Sequence, residues 1–379
     1  MAKQEIQYPL RKGKHSRQAH VDLPESTYEE EHGRQGFYGN TSHLYHKNRP
    51  TDWTRVEGPL KPHALNTNDL KPSDIKDPAG FPLRFLFNDD VALWLSRRNK
   101  PMPYTARNAD GDEVWFTHRG EGIIETDYGP LAFKKGDYIV IPRGCNYRVI
   151  PKTEDNFFLM IESFSEIQWP DKGMLGPHAL FDPAVIETPD PNPSGERAGE
   201  NSCPKDKEWE VKVKRENQWS SIFYPFDPID TVGWKGNLSP WKLNTNDFRP
   251  VMSARYHLPP SVHTTMLAKN FVICTFAPRP LESEDGAMKV PFYHRNIDFD
   301  EVLFYHDGDF FSRDGIDAGM LTFHPQGIHH GPHPKAVESS KGKTQTNETA
   351  VMVDTYRPLK LSEEALAVSD PDYINSWKD

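Results

Sequence analysis

Residues Arg107 to Gly120 read RNADGDEVWFTHRG, and residues Arg295 to Gly308 read RNIDFDEVLFYHDG. Nine of these fourteen positions are identical. Chance agreement at roughly one position in twenty would leave less than one match, so the chain carries an internal duplication. The duplication aligns Glu113 with Glu301 and His118 with His306. A second correspondence follows in each copy. Gly136 precedes Pro142, Gly144 and Tyr147, while Gly319 precedes Pro325, Gly327 and His330 with identical spacing. Two copies so far apart indicate two related domains rather than a solenoid.

The composition agrees with a β-rich, two-domain chain of 379 residues. The 34 prolines and 25 glycines disfavour long helices. Short runs rich in β-branched and aromatic residues lie between turn signals, which predicts strands. These runs are Gly122 to Glu125, Tyr138 to Ile141, Phe157 to Glu162, Glu208 to Val213, Asn270 to Phe276 and Ala350 to Tyr356. Ser362, followed by Glu363, Glu364, Ala365 and Leu366, predicts a capped helix. With 21 Phe, 14 Tyr and 9 Trp the chain can fill two cores despite a mean hydropathy of -0.74.

The net charge is -10, from 45 basic and 55 acidic residues, which argues against a nucleic-acid-binding surface. No apolar run reaches the ~20 residues that would span a bilayer. The first twenty residues are polar and basic, without the apolar segment of a secretory signal. Cys145, Cys203 and Cys274 are odd in number and far apart, as expected of reduced thiols in a cytoplasmic protein.

The two motifs resemble those of cupins. His294, Asn296, Glu301 and Gly308 match the first cupin motif, and Gly319, Pro325, Gly327 and His330 the second. The resemblance implies an all-β bicupin: two jelly-roll, double-stranded β-helix barrels with few short helices. The expected division is an N-terminal cupin-like domain without a metal site (1–181), a Pro- and Gly-rich linker (182–206) and a C-terminal catalytic cupin (207–379). In the second copy, His294, Glu301 and His330 could meet at one face of a metal ion. Two His and one carboxylate form the facial set of non-heme iron oxygenases, although these donors also tolerate manganese, nickel and zinc. In the first copy Ala106 and Tyr147 hold the histidine positions, so Glu113 has no partner ligands. Of the histidines near His330, His324 shares its parity, while His329 and His333 are expected at the surface.

Longer stretches resemble the homogentisate 1,2-dioxygenase family. They are DTVGWKGNL (230–238), PWKLN (240–244), PFYHRN (291–296), HGP (330–332), GFYGNTSHLY (36–45) and Arg11 to Gly13. The similarity is strongest from Trp209 to Lys335. It implies Fe(II) as the cofactor, held by His294, Glu301 and His330. It implies that His257 is the catalytic acid/base and that His324 and Phe310 bind substrate, Phe310 standing where the family has a tyrosine. The implied reaction opens a hydroquinone ring with O2, giving maleylacetoacetate from homogentisate in tyrosine and phenylalanine catabolism. The implied partners are a small aromatic substrate and O2, without nucleic acid or membrane, in a homo-oligomer. A gentisate- or hydroquinone-type dioxygenase of the same fold is the nearest alternative. Asn296 and Glu301 count against the gentisate type, which has a histidine in place of Asn296 and no Glu ligand. A non-catalytic metal-binding or storage bicupin is the alternative from another class.

Overall fold

The computed structural model describes residues 10–191, 208–310, 315–340 and 342–378. Most of the expected linker, with Cys203, lies outside them. The regular structure of the described chain is almost entirely strand, with two short α-helices, Pro334–Ser340 and Glu363–Ala367. The second helix begins where expected, with the Ser362 hydroxyl accepting from the Ala365 amide. All six predicted runs are strands, with ends within a residue or two of those read from the sequence.

Four sheets build two barrels. The first barrel closes between a seven-stranded and a six-stranded sheet. Its interior holds Trp115, Ile139, Ile141, Tyr147, Phe158 and Met160. The second has a six-stranded sheet ordered Thr264–Ala268, Phe271–Phe276, Thr349–Thr355, Asp300–Asp307, Leu321–His324, His63–Leu65. Facing it is a small sheet of Tyr293–His294, Tyr28–Gly33 and Thr41–His46.

The duplicated strands, Asp112–Arg119 and Asp300–Asp307, explain how the barrels join. Side chains alternate across a strand. Glu113 and Trp115 therefore face into the first barrel, and Val114 and Phe116 face out. The outward face packs on Val302 and Phe304 of the second copy in the largest hydrophobic core of the molecule. Both faces are buried, so the strands read as nearly continuous apolar runs. His118 and His306, paired by the duplication, meet in this interface, Nδ1 to Nδ1 at 2.9 Å. Each ring also sits edge-on to a phenylalanine of the other copy, His118 on Phe304 and His306 on Phe116.

Strand pairing crosses the expected domain divisions. Trp209–Arg215 pairs in parallel with Thr105–Asn108, and Trp241–Asn244 pairs with Asp137–Ile141. The first barrel thus extends to about residue 244. Conversely, His63–Leu65 completes the second barrel's sheet, and Tyr28–Gly33 pairs in parallel with Tyr293–His294. Each exchange covers a sheet edge with a strand distant in sequence, and such pairings leave no local signal.

Candidate metal centre

His294 and His330 come together through their backbones. The His294 amide donates to the His330 carbonyl at 2.9 Å, and the His330 amide returns the bond at 2.8 Å. This single bridge sets the two rings 4.1 Å apart. The corresponding pair in the first barrel is Ala106 and Tyr147, also cross-strand partners. Glu301, second in its strand, arrives after a tight turn in which Asn296 takes a left-handed conformation (φ 38°). The Phe299 amide bonds the Asn296 carbonyl across that turn. Asparagine tolerates this backbone better than most residues.

The three side chains are buried, with ligand atoms within 4.8 Å of one another. His330 Nε2 lies 3.3 Å from Glu301 Oε1, and His294 Nε2 lies 3.5 Å from Glu301 Oε2. Both rings are oriented from behind. His294 Nδ1 lies 3.0 Å from the Phe292 carbonyl, and His330 Nδ1 lies 3.3 Å from the Ile328 carbonyl. Since a carbonyl only accepts, Nδ1 carries the proton and the Nε2 lone pair points at the carboxylate. Oriented imidazoles of this kind are how proteins present metal ligands. His330 Nε2 is fully buried and has no hydrogen-bond partner. Burial, reinforced by His294, holds the His330 ring well below its usual range and therefore neutral. Burial alone would raise Glu301, but the surrounding histidines hold it well below the carboxylate range. A buried carboxylate facing the Nε2 atoms of two imidazoles is a donor set that a divalent cation fits.

His324 lies behind the carboxylate rather than beside the open face. It pairs with Glu301 across the strands, places Nδ1 2.9 Å from Glu301 Oε1, and stacks on His330. Its Nε2 is 3.0 Å from the Tyr373 hydroxyl. Phe310 packs edge-on against Tyr305 in an apolar cluster with Ile316, Tyr373 and Trp377. His329 is partly exposed and reaches Glu30. His333, expected at the surface, is instead buried, because its ring fills a slot against Trp377.

A cavity of about 90 Å³ opens beside Glu301 and His294, and His257 forms part of its wall. His257 Nδ1 is 2.9 Å from Glu282 Oε1, which orients the ring. Burial would raise Glu282, but the bond to His257 holds it below its ordinary value. Glu282 had no signal in the sequence, because it follows His257 by 25 residues in an irregular loop.

The N-terminal arm is the larger omission from the sequence reading. It covers His294 with Phe37, whose ring stands edge-on at 5.0 Å. It also brings a second His and Glu cluster, His20, Glu29 and His43. Burial opposes charge on His20, yet Glu29 and Glu31, one at each ring nitrogen, raise it to about 9. His20 is thus an imidazolium in an ion-pair network. It stacks at 4.4 Å on Phe292, two residues before His294.

Comparison with known proteins places this geometry. Residues 86–245 match the N-terminal model of homogentisate 1,2-dioxygenase and residues 245–379 match the C-terminal model. The chain belongs to the homogentisate 1,2-dioxygenase family. The junction of the two family models coincides with the point where the first barrel's sheet ends. A Saccharolobus solfataricus protein, provisionally named a dioxygenase, is 33% identical over 92% of each chain. Homogentisate 1,2-dioxygenase of Bradyrhizobium diazoefficiens is 27% identical, and that of Sinorhizobium fredii 26%. The alignments take in 72% and 71% of this chain but only 62% and 61% of those proteins. Among solved structures, a cupin 2 conserved barrel domain protein from Leptotrichia buccalis aligns with 80% of this chain and 99% of its own. Its identity is 14% and its TM-score 0.38. Membership makes this protein a dioxygenase of the homogentisate dioxygenase type, and no helix among the described residues is long and apolar enough to cross a membrane.

Proposed function

We propose that the protein is an Fe(II)-dependent ring-cleaving dioxygenase. Its substrate is homogentisate or a close hydroquinone relative, and the ring-opened product of homogentisate is maleylacetoacetate. The observation that carries this reading is the buried set of His294, Glu301 and His330, with both Nε2 atoms turned toward the carboxylate and His330 Nε2 lacking a hydrogen-bond partner. The absence of a histidine at Asn296, whose amide instead donates to Glu301 Oε2 at 3.3 Å, favours this reading over a gentisate type.

Iron(II), when bound, supplies the redox chemistry that joins O2 to the ring. The protein's own residues supply position and proton transfer. Phe292, Ile328 and His324 fix the ligand side chains before any metal arrives. His257 takes the phenolic proton at Nε2, and Glu282 stabilises the resulting imidazolium at Nδ1. Leu303, Tyr305 and Met352 give the cavity apolar walls suited to an aromatic ring.

The test is oxygen consumption by iron-loaded protein with homogentisate, gentisate and unsubstituted hydroquinone, with product masses determined. One O2 consumed per homogentisate, and both oxygen atoms in the product, is the expected result. Preference for gentisate, or no uptake by iron-replete protein, overturns the assignment.

A further inference from the structure

The arm strand Tyr28–Gly33 runs in parallel with Tyr293–His294, which sets Glu30 beside Tyr293 and Glu31 beside His294. Side chains alternate across a strand, so its three acids serve two faces. Glu29 and Glu31 meet His20 on one face. Glu30, 2% exposed, meets a different set of residues, which adjoin the metal ligands without belonging to them. Its Oε1 lies 3.3 Å from Arg295 Nε and 3.0 Å from His329 Nε2. Arg295 follows His294 in the chain, and His329 precedes His330. The other oxygen, Oε2, is 2.8 Å from His46 Nε2 on the neighbouring arm strand. Arg295 is held further by its Nη2, 2.6 Å from His32 Nδ1, and by its carbonyl, which accepts from the Gly327 amide at 3.1 Å. Glu30 Oε1 and His329 Nε2 have no aligned hydrogen bond, so the hold at Oε1 is one of charge and contact. The guanidinium keeps its charge at any working pH, and a buried carboxylate is screened little.

We propose that Glu30 is a positioning residue for the metal centre: by holding Arg295 and His329 together it sets the spacing of the ligands His294 and His330. This rests on the metal set read above, not on the reaction assigned to it. The two ligand segments are otherwise joined by the single backbone bridge between His294 and His330 and by the Gly327 bond to Arg295. Ligand atoms must stay within about 0.5 Å of the binding geometry. A carboxylate that grips both segments beside that bridge keeps them from pivoting about it. The N-terminal arm thereby contributes to metal affinity without supplying a ligand.

The full chain is titrated with Co(II) alone, whose visible absorption reports its ligands, and Kd is measured by competition with a chelator. Glu30→Gln keeps the shape and removes the charge. It is expected to weaken Co(II) binding about 10- to 100-fold and to alter the absorption of the bound ion. Arg295→Gln removes the same contact from the other side and should lose a similar amount. The double variant should lose no more than the larger single loss, because the two residues act as one unit. Glu57→Gln, the same charge change at an exposed arm residue, should leave both readings unchanged. Thermal melting of the metal-free proteins checks folding, and if Glu30→Gln does not fold, Arg295→Gln carries the same comparison, with Arg295→Lys expected to recover part of the loss. Unchanged affinity and absorption in the folded variant, or losses that add in the double variant, overturn the role and leave the dioxygenase reading intact. A wild type without affinity for Co(II) overturns the role together with the metal set. Glu30-dependent Co(II) binding without oxygen uptake by the iron-loaded wild type keeps the positioning role and removes the dioxygenase reading.

Discussion

The two barrels share one framework and fill it differently. In the second, the cross-strand pair is His294 and His330, and Glu301 stands between them. In the first, Ala106 and Tyr147 form that pair, and Glu113 is engaged by protein donors. Trp115 Nε1 donates to one Glu113 oxygen at 2.9 Å, and Asn108 donates to the other at 2.8 Å. Burial raises Glu113, and nearby Glu162 adds to the effect. Glu162 is matched by Lys214, whose ammonium also pairs with Asp110. The strand partner of Glu301 in the same position is Asp354, also buried and raised well above its usual range by burial and then by Glu301. One barrel has thus closed its polar interior with an indole, an amide and a lysine, leaving only about 30 Å³ of space, room for one or two waters. The other keeps unpartnered lone pairs and a cavity about three times larger. Retaining the duplicated carboxylate does not retain a site; the site depends on what faces that carboxylate.

The largest expected effect tests this contrast directly. Glu301→Ala or His330→Ala should remove nearly all of about one iron per chain and all turnover, as read by metal analysis and oxygen uptake. Glu113→Ala should keep the iron and the activity while lowering stability by about 1–3 kcal/mol, since it strands the donors of Trp115 and Asn108. Iron lost equally from the Glu113 variant would erase the distinction between the barrels.

Next in size is the acid/base step. His257→Ala should retain iron and lose turnover by about 10²–10⁴-fold. Glu282→Gln, which keeps the ring's hydrogen bond but not the negative charge, should lose less. Near-normal kcat in an iron-replete His257→Ala protein would exclude the role.

The interface between the barrels gives a smaller, pH-dependent effect. Burial lowers His118 to about 2, helped by His306, Arg119 and Lys135, and lowers His306 to about 4. Both are neutral in the folded protein, while the unfolded chain takes up protons below about pH 6.5. Stability from these rings is therefore complete above that pH and declines as the pH falls through 6.5 toward 4, by at most about 1.4 kcal/mol per pH unit for each ring. Denaturant melts of the His118→Leu, His306→Leu double variant should show a shallower acid decline than the wild type. An identical slope would remove the two histidines from the account.

The smallest effect concerns Phe310. The sequence comparison makes it a candidate for selecting substrate, but its ring packs behind Tyr305, which lines the cavity, and does not itself line it. Phe310→Tyr should leave the ratio of kcat/KM for homogentisate and methylhydroquinone within about twofold, with about 1–3 kcal/mol lost if its hydroxyl finds no partner. A large shift in that ratio would return Phe310 to the substrate site.

By itself the sequence determined the duplication, the strand-rich fold class, the positions of six strands and one capped helix, and the residues that could form a metal set. These properties repeat with short, fixed spacing, and each is a consequence of alternation, turn chemistry or ligand geometry within a few residues. Tertiary structure decided the rest. It placed Tyr28–Gly33 beside Tyr293–His294 and extended the first barrel past residue 207. It set His20 between two glutamates that raise it, buried His333 against Trp377, and brought Glu282 against His257. Those outcomes depend on which distant edge a strand covers and on which charges are left together when water is excluded. Spacing along a chain carries neither quantity, because burial and pairing belong to the assembled barrels.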